Sequence, residues 1–234
     1  MSNPFDFFEE IYCINLAYRT DKWKMCLEQF EKLGIHKRVE RFDAIKFEGS
    51  HPNVNIRSAG CFASHRAAIN LIKERNLNNA LIFEDDVEFL NDVNNQLSLS
   101  LEDLKKQNSW DIFYLGMHVG YGFDISRPND IPLERVSENL LKVNVALCAH
   151  AQAYSREAAE IISSNIPAGQ EIIPWLQRNE SVDGWLMRHI LPRGKSFSTN
   201  EILATQKECF SDNNLVITRL DKHFVTEFNK LKPS

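Results

Sequence analysis

The sequence lacks the patterns typical of secreted, membrane-spanning and nucleic-acid-binding proteins. No uninterrupted apolar run approaches the roughly 20 residues that a membrane span requires. The first ten residues lack the basic region of a signal peptide. The net charge is −5, and no Lys/Arg stripe is present, so nucleic acid is not expected as a partner. We therefore expect a cytoplasmic protein without an integral membrane segment, which leaves peripheral membrane association open.

Paired cysteine motifs are also missing. The five cysteines are odd in number, widely spread and form no C-x-x-C pair, which favours free thiols in a reducing compartment. No linker, repeat or low-complexity segment divides the 234 residues, and 43% of them are hydrophobic. The composition therefore predicts one globular domain over residues 1–234.

Strand-like and helix-like segments alternate in the first half of the chain. Helical spacing of apolar residues follows Thr20 and Gly60, between segments rich in β-branched and aromatic residues. This order predicts an α/β fold with a mostly parallel central sheet flanked by helices. The predicted parallel strands are residues 11–16, 39–45, 80–84 and 110–115.

The most informative stretch is an apolar run that ends in three consecutive carboxylates. Ala80-Leu81-Ile82-Phe83 is followed directly by Glu84-Asp85-Asp86. If the run is a central strand, these carboxylates emerge at the carboxyl edge of the sheet, where ligands bind in open α/β sheets. Clustered carboxylates repel one another, and a hard cation such as Mn²⁺ or Mg²⁺ would relieve that repulsion. A solvated acidic turn without a ligand fits this stretch equally well.

The alternation of side chains along a strand separates the three carboxylates. Glu84 and Asp86 would share one face, while Asp85 would point away. Two carboxylates on one face suit a divalent cation that keeps water and phosphate oxygens as further ligands. We therefore predict Glu84 and Asp86 as metal ligands.

Polar residues after the first two predicted strands are candidates for contacts with a nucleotide. Asn15 and Arg19 follow the first strand, although Arg19 could equally be a surface residue that pairs with Asp21 or Glu40. Asp43 ends the second strand and could accept hydrogen bonds from a base or ribose, or cap a turn.

Two later segments offer further candidates. Ser64 and His65 are placed in the first turns of a helix that begins near Gly60, which would suit a diphosphate, although a core histidine is the simpler interpretation of His65. Asp183 is predicted as a helix N-cap. Residues 117–135, with glycines and prolines but no periodicity, are predicted to be a loop that closes over a ligand.

Several short motifs follow one another in a characteristic order and spacing. They are Ile14-Asn15-Leu16 with Arg19-Thr20-Asp21, Arg41-Phe42-Asp43-Ala44, Gly60-Cys61-Phe62-Ala63-Ser64-His65, Glu84-Asp85-Asp86-Val87, Trp110-Asp111 with Leu115-Gly116, Ala151-Gln152-Ala153-Tyr154, Val182-Asp183, and Gln206 before Ser211-Asp212. From about residue 11 to residue 212, this set resembles glycosyltransferase family 25. That family includes bacterial lipooligosaccharide galactosyltransferases and procollagen galactosyltransferases.

The resemblance implies a GT-A fold and inverting transfer of a hexose from a UDP-sugar. Glu84-Asp85-Asp86 would replace the Asp-x-Asp motif, with Mn²⁺ or Mg²⁺ on Asp86 and Glu84. Asp183 would be the general base, with Asp212 in reserve. The acceptor would be a glycan, a lipid-linked glycan or a protein. The residues implied in donor binding are Asn15, Leu16, Arg19, Asp43, Ser64, His65, Glu84 and Asp85.

Two departures and three alternatives accompany this interpretation. Lys22-Trp23 stands where the family usually has a basic pair, and residues 46–59 differ from its usual glycine-containing loop. The main alternative is a catalytically inactive family 25-like module that binds a sugar or a protein. The others are a metal-dependent phosphohydrolase and a purely structural acidic turn.

Overall fold

The structure is a computed structural model that describes residues 3–90, 92–119, 131–179, 181–211, 216–218 and 221–233. Strands and helices alternate along the first half of the chain, as predicted. The strands are β1 Glu10–Asn15, β2 Val39–Asp43, β3 Asn79–Glu84, β4 Val87–Phe89, β5 Ile112–His118, β6 Leu133–Arg135, β7 Leu140–Val143, β8 Leu147–Ser155, β9 Ser196–Thr199, β10 Ala204–Gln206, β11 Cys209–Ser211 and β12 Val216–Thr218. The α-helices are α1 Thr20–Lys32, α2 Ile56–Glu74, α3 Val93–Leu104, α4 Arg156–Asn165, α5 Ile172–Asn179, α6 Val182–His189 and α7 Asp221–Leu231.

A mostly parallel sheet of eight strands forms the centre of the fold, in the order β2-β1-β3-β8-β5-β9-β7-β6. Strands β8 and β7 are antiparallel to their neighbours, and the other six strands run in one direction. The predicted α/β class is confirmed, and the four predicted parallel strands all belong to this sheet. Strand β8 separates β3 from β5, an insertion that the alternating strand–helix order did not predict.

Side-chain alternation on β3 divides the core into two layers. Ala80 and Ile82 pack in the layer that contains the buried face of α2, whereas Leu81 and Phe83 pack in the layer of α1 and α3. This alternation directs Glu84 towards α2 and the following Asp85 towards α1, because successive side chains on a strand point to opposite faces.

Helix α2 begins earlier than predicted. Asn55 is its N-cap, and the Asn55 side chain accepts hydrogen bonds from the backbone nitrogens of Arg57 and Ser58. Ser64 and His65 therefore lie in the middle of the helix, and their predicted position in its first turns is wrong. A diphosphate role that depends on the helix N-terminus does not apply to them.

Three other local predictions are also corrected. Gly116 does not end its strand, since β5 continues to His118. The N-cap of α6 is Ser181 instead of Asp183, because the Ser181 hydroxyl accepts the hydrogen bond from Gly184 N. The predicted closing loop over residues 117–135 is shorter than expected, since residues 117–118 belong to β5 and residues 133–135 to β6. Its residues 120–130 lie outside the described part of the chain, as does Asp212.

Candidate active site

A cavity of about 650 Å³ opens at the carboxyl ends of β1 and β3. This volume lies within the range that is usual for small-molecule sites. Its wall is formed by the ends of these strands, by the segment after β2, by α2 and by parts of the second half of the chain. All three consecutive carboxylates contribute to the wall, together with Asp183 and Gln206.

Asp85 is neutralised by a buried lysine. Lys22 Nζ lies 2.9 Å from Asp85 Oδ1, and Asn15 Nδ2 donates to Asp85 Oδ2 at 2.7 Å. Lys22 is buried because it lies on the face of α1 that also carries Cys26 and Phe30 and packs towards the sheet. Sequence reasoning missed this role. The signal for it was the spacing of four residues that places Lys22 on the same stripe as two core residues.

Glu84 is held by side chains from two other elements. His65 Nε2 lies 2.9 Å from Glu84 Oε1, and Gln206 Nε2 donates to Glu84 Oε2 at 3.3 Å. Burial alone would raise the pKa of Glu84, but the hydrogen bond with His65 and attraction to its charge hold that pKa below its ordinary value. Gln206 lies on β10. It belongs to the motifs that resemble family 25, but it was not predicted as a site residue.

Asp86 has a different environment from its two neighbours. Its Oδ1 atom is buried and has no hydrogen-bond partner in the described part of the chain. Burial first, and then the nearby Glu84 carboxylate, raise the pKa of Asp86 to about 7. A buried carboxylate oxygen without a partner fits a divalent cation with oxygen ligands. Because β3 ends at Glu84 and Asp86 lies in the turn before β4, strand alternation does not decide the direction of Asp86, although both carboxylates line the same cavity.

Asp183 lies on another part of the cavity wall, in the first turn of α6. Burial raises the pKa of its carboxyl group. Asp183 Oδ2 accepts a hydrogen bond of 3.4 Å from the backbone nitrogen of Cys148, a residue with a left-handed φ of 66°. Gln152 Nε2 donates to the Cys148 carbonyl, and Tyr154 Oη donates to Gln152 Oε1 at 2.6 Å. The Ala151–Tyr154 motif thus supports the backbone that contacts Asp183.

The remaining predicted site residues have diverse positions. Leu16 lines the cavity. Arg19 forms an ion pair with Asp21 at 2.9 Å, the surface pairing that was the alternative for this residue. Asp43 is exposed at the end of β2. Ser64 borders the cavity, but its hydroxyl accepts from Ile45 N at 2.8 Å and donates to the Gly60 carbonyl at 2.7 Å.

Comparison with known proteins gives a family match in the middle of the chain. Residues 50–158, just under half of the chain, match the model described as glycosyltransferase family 25 (LPS biosynthesis protein). This part of the chain is similar to glycosyltransferase family 25. The matched region contains α2, the three carboxylates and the Ala151–Tyr154 motif, whereas Asn15, Asp183 and Gln206 lie outside it.

The curated relatives of this chain have two kinds of name. It is 30% identical over 129 residues to inactive glycosyltransferase 25 family member 3 of Homo sapiens, an alignment that covers 47% of this chain and 22% of the relative. It is equally 30% identical over 129 residues to procollagen galactosyltransferase 2 of Mus musculus, with 47% and 21% covered. The matched part thus spans about a fifth of the length of these relatives.

A solved structure of a glycosyltransferase involved in the glycosylation of the major capsid of PBCV-1 is also similar. Its TM-score is 0.41 at 15% identity, with 81% of this chain and 80% of that chain covered. In the described ranges of the chain, none of the helices combines the length and the apolar character that crossing a membrane requires.

Proposed function

We propose that this protein is a member of glycosyltransferase family 25 and an inverting, metal-dependent transferase that moves a hexose, galactose or glucose, from a UDP-sugar to an acceptor hydroxyl. The acceptor would be a glycan, a lipid-linked glycan or a protein. The observation that carries the proposal is that two carboxylates with different environments line the same cavity. Asp86 has a buried oxygen without a hydrogen-bond partner among the described residues, and Asp183, on α6, has a carboxyl group with a raised pKa.

Asp86 would hold the divalent cation, with Glu84 beside it. When bound, Mn²⁺ or Mg²⁺ would offset the negative charge that develops on the diphosphate leaving group. The Lys22–Asp85–Asn15 network would keep the adjacent Asp85 neutralised, so that the cation is attracted mainly by Asp86 and Glu84.

The nucleoside of the donor would lie near the ends of β1 and β2. Leu16 is part of the cavity wall there and would contact it directly. Asn15, Arg19 and Asp43 would act from the same edge of the sheet. Ser64 and His65 would support the diphosphate side of the cavity from the middle of α2, through the Ile45 backbone and Glu84 respectively.

Asp183 would be the general base of the displacement. The acceptor oxygen would attack the anomeric carbon on the side opposite the diphosphate, the bond to the diphosphate oxygen would break, and the hydroxyl proton would pass to Asp183. Its raised pKa makes the carboxylate a stronger base than an exposed aspartate. The hydrogen bond from Cys148 N would orient one carboxylate oxygen and leave the other for the acceptor.

A pair of variants tests this division of roles. Asp86→Asn should weaken Mn²⁺-dependent UDP binding and abolish both donor hydrolysis and transfer. Asp183→Asn should leave UDP affinity near that of the wild type, while transfer falls by roughly 10²-fold or more, the usual scale for a lost general base. Calorimetry with UDP and Mn²⁺, together with transfer rates on the same preparations, measures both. Normal transfer by Asp183→Asn would exclude Asp183 as the base and direct attention to Asp212.

The second candidate function is a catalytically inactive module that binds a sugar or a protein. It is favoured by the names of several relatives, among them the human, rat and mouse proteins named inactive or probably inactive. Such a module would bind UDP or a UDP-sugar without hydrolysis and without transfer to any member of an acceptor panel. Turnover of a UDP-sugar that is lost in Asp86→Asn would rule it out.

A further inference from the structure

Three different metal-binding side chains meet at the junction of α2 and β3. Cys61 and His65 are four residues apart on α2, so they occupy the same face of the helix. Glu84, at the end of β3, faces them. The ligand atoms of the three residues all lie within 4.8 Å of one another, and no other group of this kind occurs in the described ranges of the chain.

We propose that Cys61, His65 and Glu84 form a binding site for a borderline-soft divalent cation such as Zn²⁺, which lies next to the hard-cation position at Asp86 and competes with it for Glu84. Thiolate and imidazole ligands select such metals, whereas Mn²⁺ and Mg²⁺ prefer oxygen ligands. The set of one sulfur, one nitrogen and one oxygen atom therefore suits Zn²⁺ better than it suits the cation proposed for sugar transfer.

The distances are compatible with a tetrahedral ion. Ligand atoms around Zn²⁺ at ordinary bond lengths lie roughly 3.3–3.8 Å from one another. Glu84 Oε1 lies 2.9 Å from His65 Nε2 and 3.9 Å from Cys61 Sγ, values that bracket this range. The third pair, Cys61 Sγ and the ligand nitrogen of His65, lies within 4.8 Å, so side-chain shifts of about 1 Å would bring all three atoms into this range.

The site would keep one coordination position open. All three residues line the 650 Å³ cavity, so a fourth ligand can reach the ion from the cavity. On binding, the ion would replace the proton shared between His65 Nε2 and Glu84 Oε1 as well as the thiol proton of Cys61, and both protons would be released to solvent. Glu84 would at the same time be drawn towards α2 and away from Gln206.

Cobalt is a suitable spectroscopic probe for the test. The reduced, chelator-treated full chain would be titrated with Co²⁺. One equivalent should produce the thiolate-to-cobalt charge-transfer band in the near ultraviolet, and Zn²⁺ should then remove the band. Cys61→Ser should abolish the band and weaken Zn²⁺ binding at least tenfold. Cys148→Ser is the matched control, because Cys148 also lines the cavity but lies outside the cluster, and it should retain the band.

The proposal is overturned if the wild type gives no such band or if Cys61→Ser keeps it. If Cys61→Ser does not fold, the test uses the wild type instead. Its cysteines are alkylated with and without Zn²⁺, and the rate at each cysteine is measured by mass spectrometry. Zn²⁺ should then slow the modification of Cys61 at least tenfold more than that of Cys148. Equal rates with and without Zn²⁺ would also overturn the proposal.

One consequence rests on the proposed transferase function. A second cation two residues from Asp86 should weaken Mn²⁺-dependent UDP binding, in the wild type but not in Cys61→Ser. The cobalt experiment does not depend on that function. A failed transfer assay would therefore leave the metal site intact, and a missing cobalt band would leave the transferase proposal intact.

Discussion

At the scale of single residues, the three consecutive carboxylates differ because each meets a different partner. Asp85 is paired with Lys22, and Glu84 is hydrogen-bonded to His65. Asp86 Oδ1 has no partner in the described part of the chain. One short stretch of like charge thus yields one neutralised carboxylate, one ionised carboxylate and one with a strongly raised pKa.

Lys22→Met should be strongly destabilising because it leaves Asp85 buried without its cation. The Lys22 and Asp85 side chains are only 5% and 14% exposed, and breaking a buried ion pair costs roughly 3 kcal/mol or more. The double variant Lys22→Met/Asp85→Asn should recover most of the loss. Urea denaturation measures all three proteins.

The matched control for this prediction is Lys46→Met. Lys46 pairs with Glu48 at 2.9 Å, but both side chains are exposed, so the loss should be much smaller. If Lys22→Met were as stable as the wild type, the buried pair would contribute nothing to the stability of the fold.

Asp86 should make the stability of the metal-free chain depend on pH. Its pKa is raised to about 7 in the fold, whereas an unfolded aspartate titrates near 4. Between these values the folded state binds more protons, so stability falls as pH rises. In EDTA at pH 8, Asp86→Asn should therefore be more stable than the wild type by roughly 2–4 kcal/mol. This difference should shrink towards zero near pH 4.

Chemical denaturation at the two pH values checks the prediction. Glu88→Gln is the control, since Glu88 is two residues away and does not line the cavity. If the free energies of unfolding of Asp86→Asn and the wild type differed by the same amount at both pH values, the raised pKa of Asp86 would be contradicted.

At the scale of elements, the contact between α2 and the segment after β2 shapes one wall of the cavity. Gly60 lies inside α2, and a Cβ at this position would come within 2.6 Å of the Ile45 carbonyl oxygen. Ser64, one turn later, receives the hydrogen bond from Ile45 N. The missing side chain at Gly60 thus allows this segment to lie directly on the helix.

Gly60→Ala should therefore act opposite to the usual helix propensity. Alanine in a helix interior is normally more stable than glycine by about 0.5–1 kcal/mol. Here the overlap with backbone should instead lower the stability by roughly 1–3 kcal/mol. Urea titrations give the free energy of unfolding of both proteins and hence the sign of the change. A variant more stable than the wild type would show that the segment after β2 moves freely away from α2.

At the scale of the whole molecule, the sheet brings distant parts of the chain to one edge. Glu84 and Gln206 are 122 residues apart, yet they are hydrogen-bonded because β10 pairs with β4 immediately after the acidic turn. Ligand binding at this edge should therefore stabilise the fold as a unit.

Thermal unfolding with nucleotides tests that expectation. UDP with Mn²⁺ at about 100 times its dissociation constant should stabilise the chain by about 2.7 kcal/mol. For a chain of this length that corresponds to a rise in Tm of roughly 5–10 °C. Asp86→Asn, or UDP with EDTA, should give a much smaller rise. No rise with any nucleotide or nucleotide sugar would favour the purely structural acidic turn, whereas phosphate release from simple phosphoesters would favour the phosphohydrolase.

Much of the fold was predictable from local pattern. The apolar run before Glu84 is confirmed as a strand, and the helical spacing after Thr20 is confirmed as α1. The misplaced start of α2 and the Asp183 cap have a local cause. In each case a competing capping residue, Asn55 or Ser181, occurs a few residues earlier. The predicted closing loop stays a prediction, since residues 120–130 lie outside the described chain.

The sequence by itself determined the family motifs, the parallel strands and the alternation that sends Glu84 and Asp85 to opposite faces, because side-chain direction on a strand is a local property. Only the tertiary structure decided which partner each carboxylate meets. Lys22 lies 63 residues from Asp85, and β8 enters the sheet between β3 and β5. Such contacts depend on how the layers pack around the whole sheet, and no spacing within a short stretch of chain encodes them.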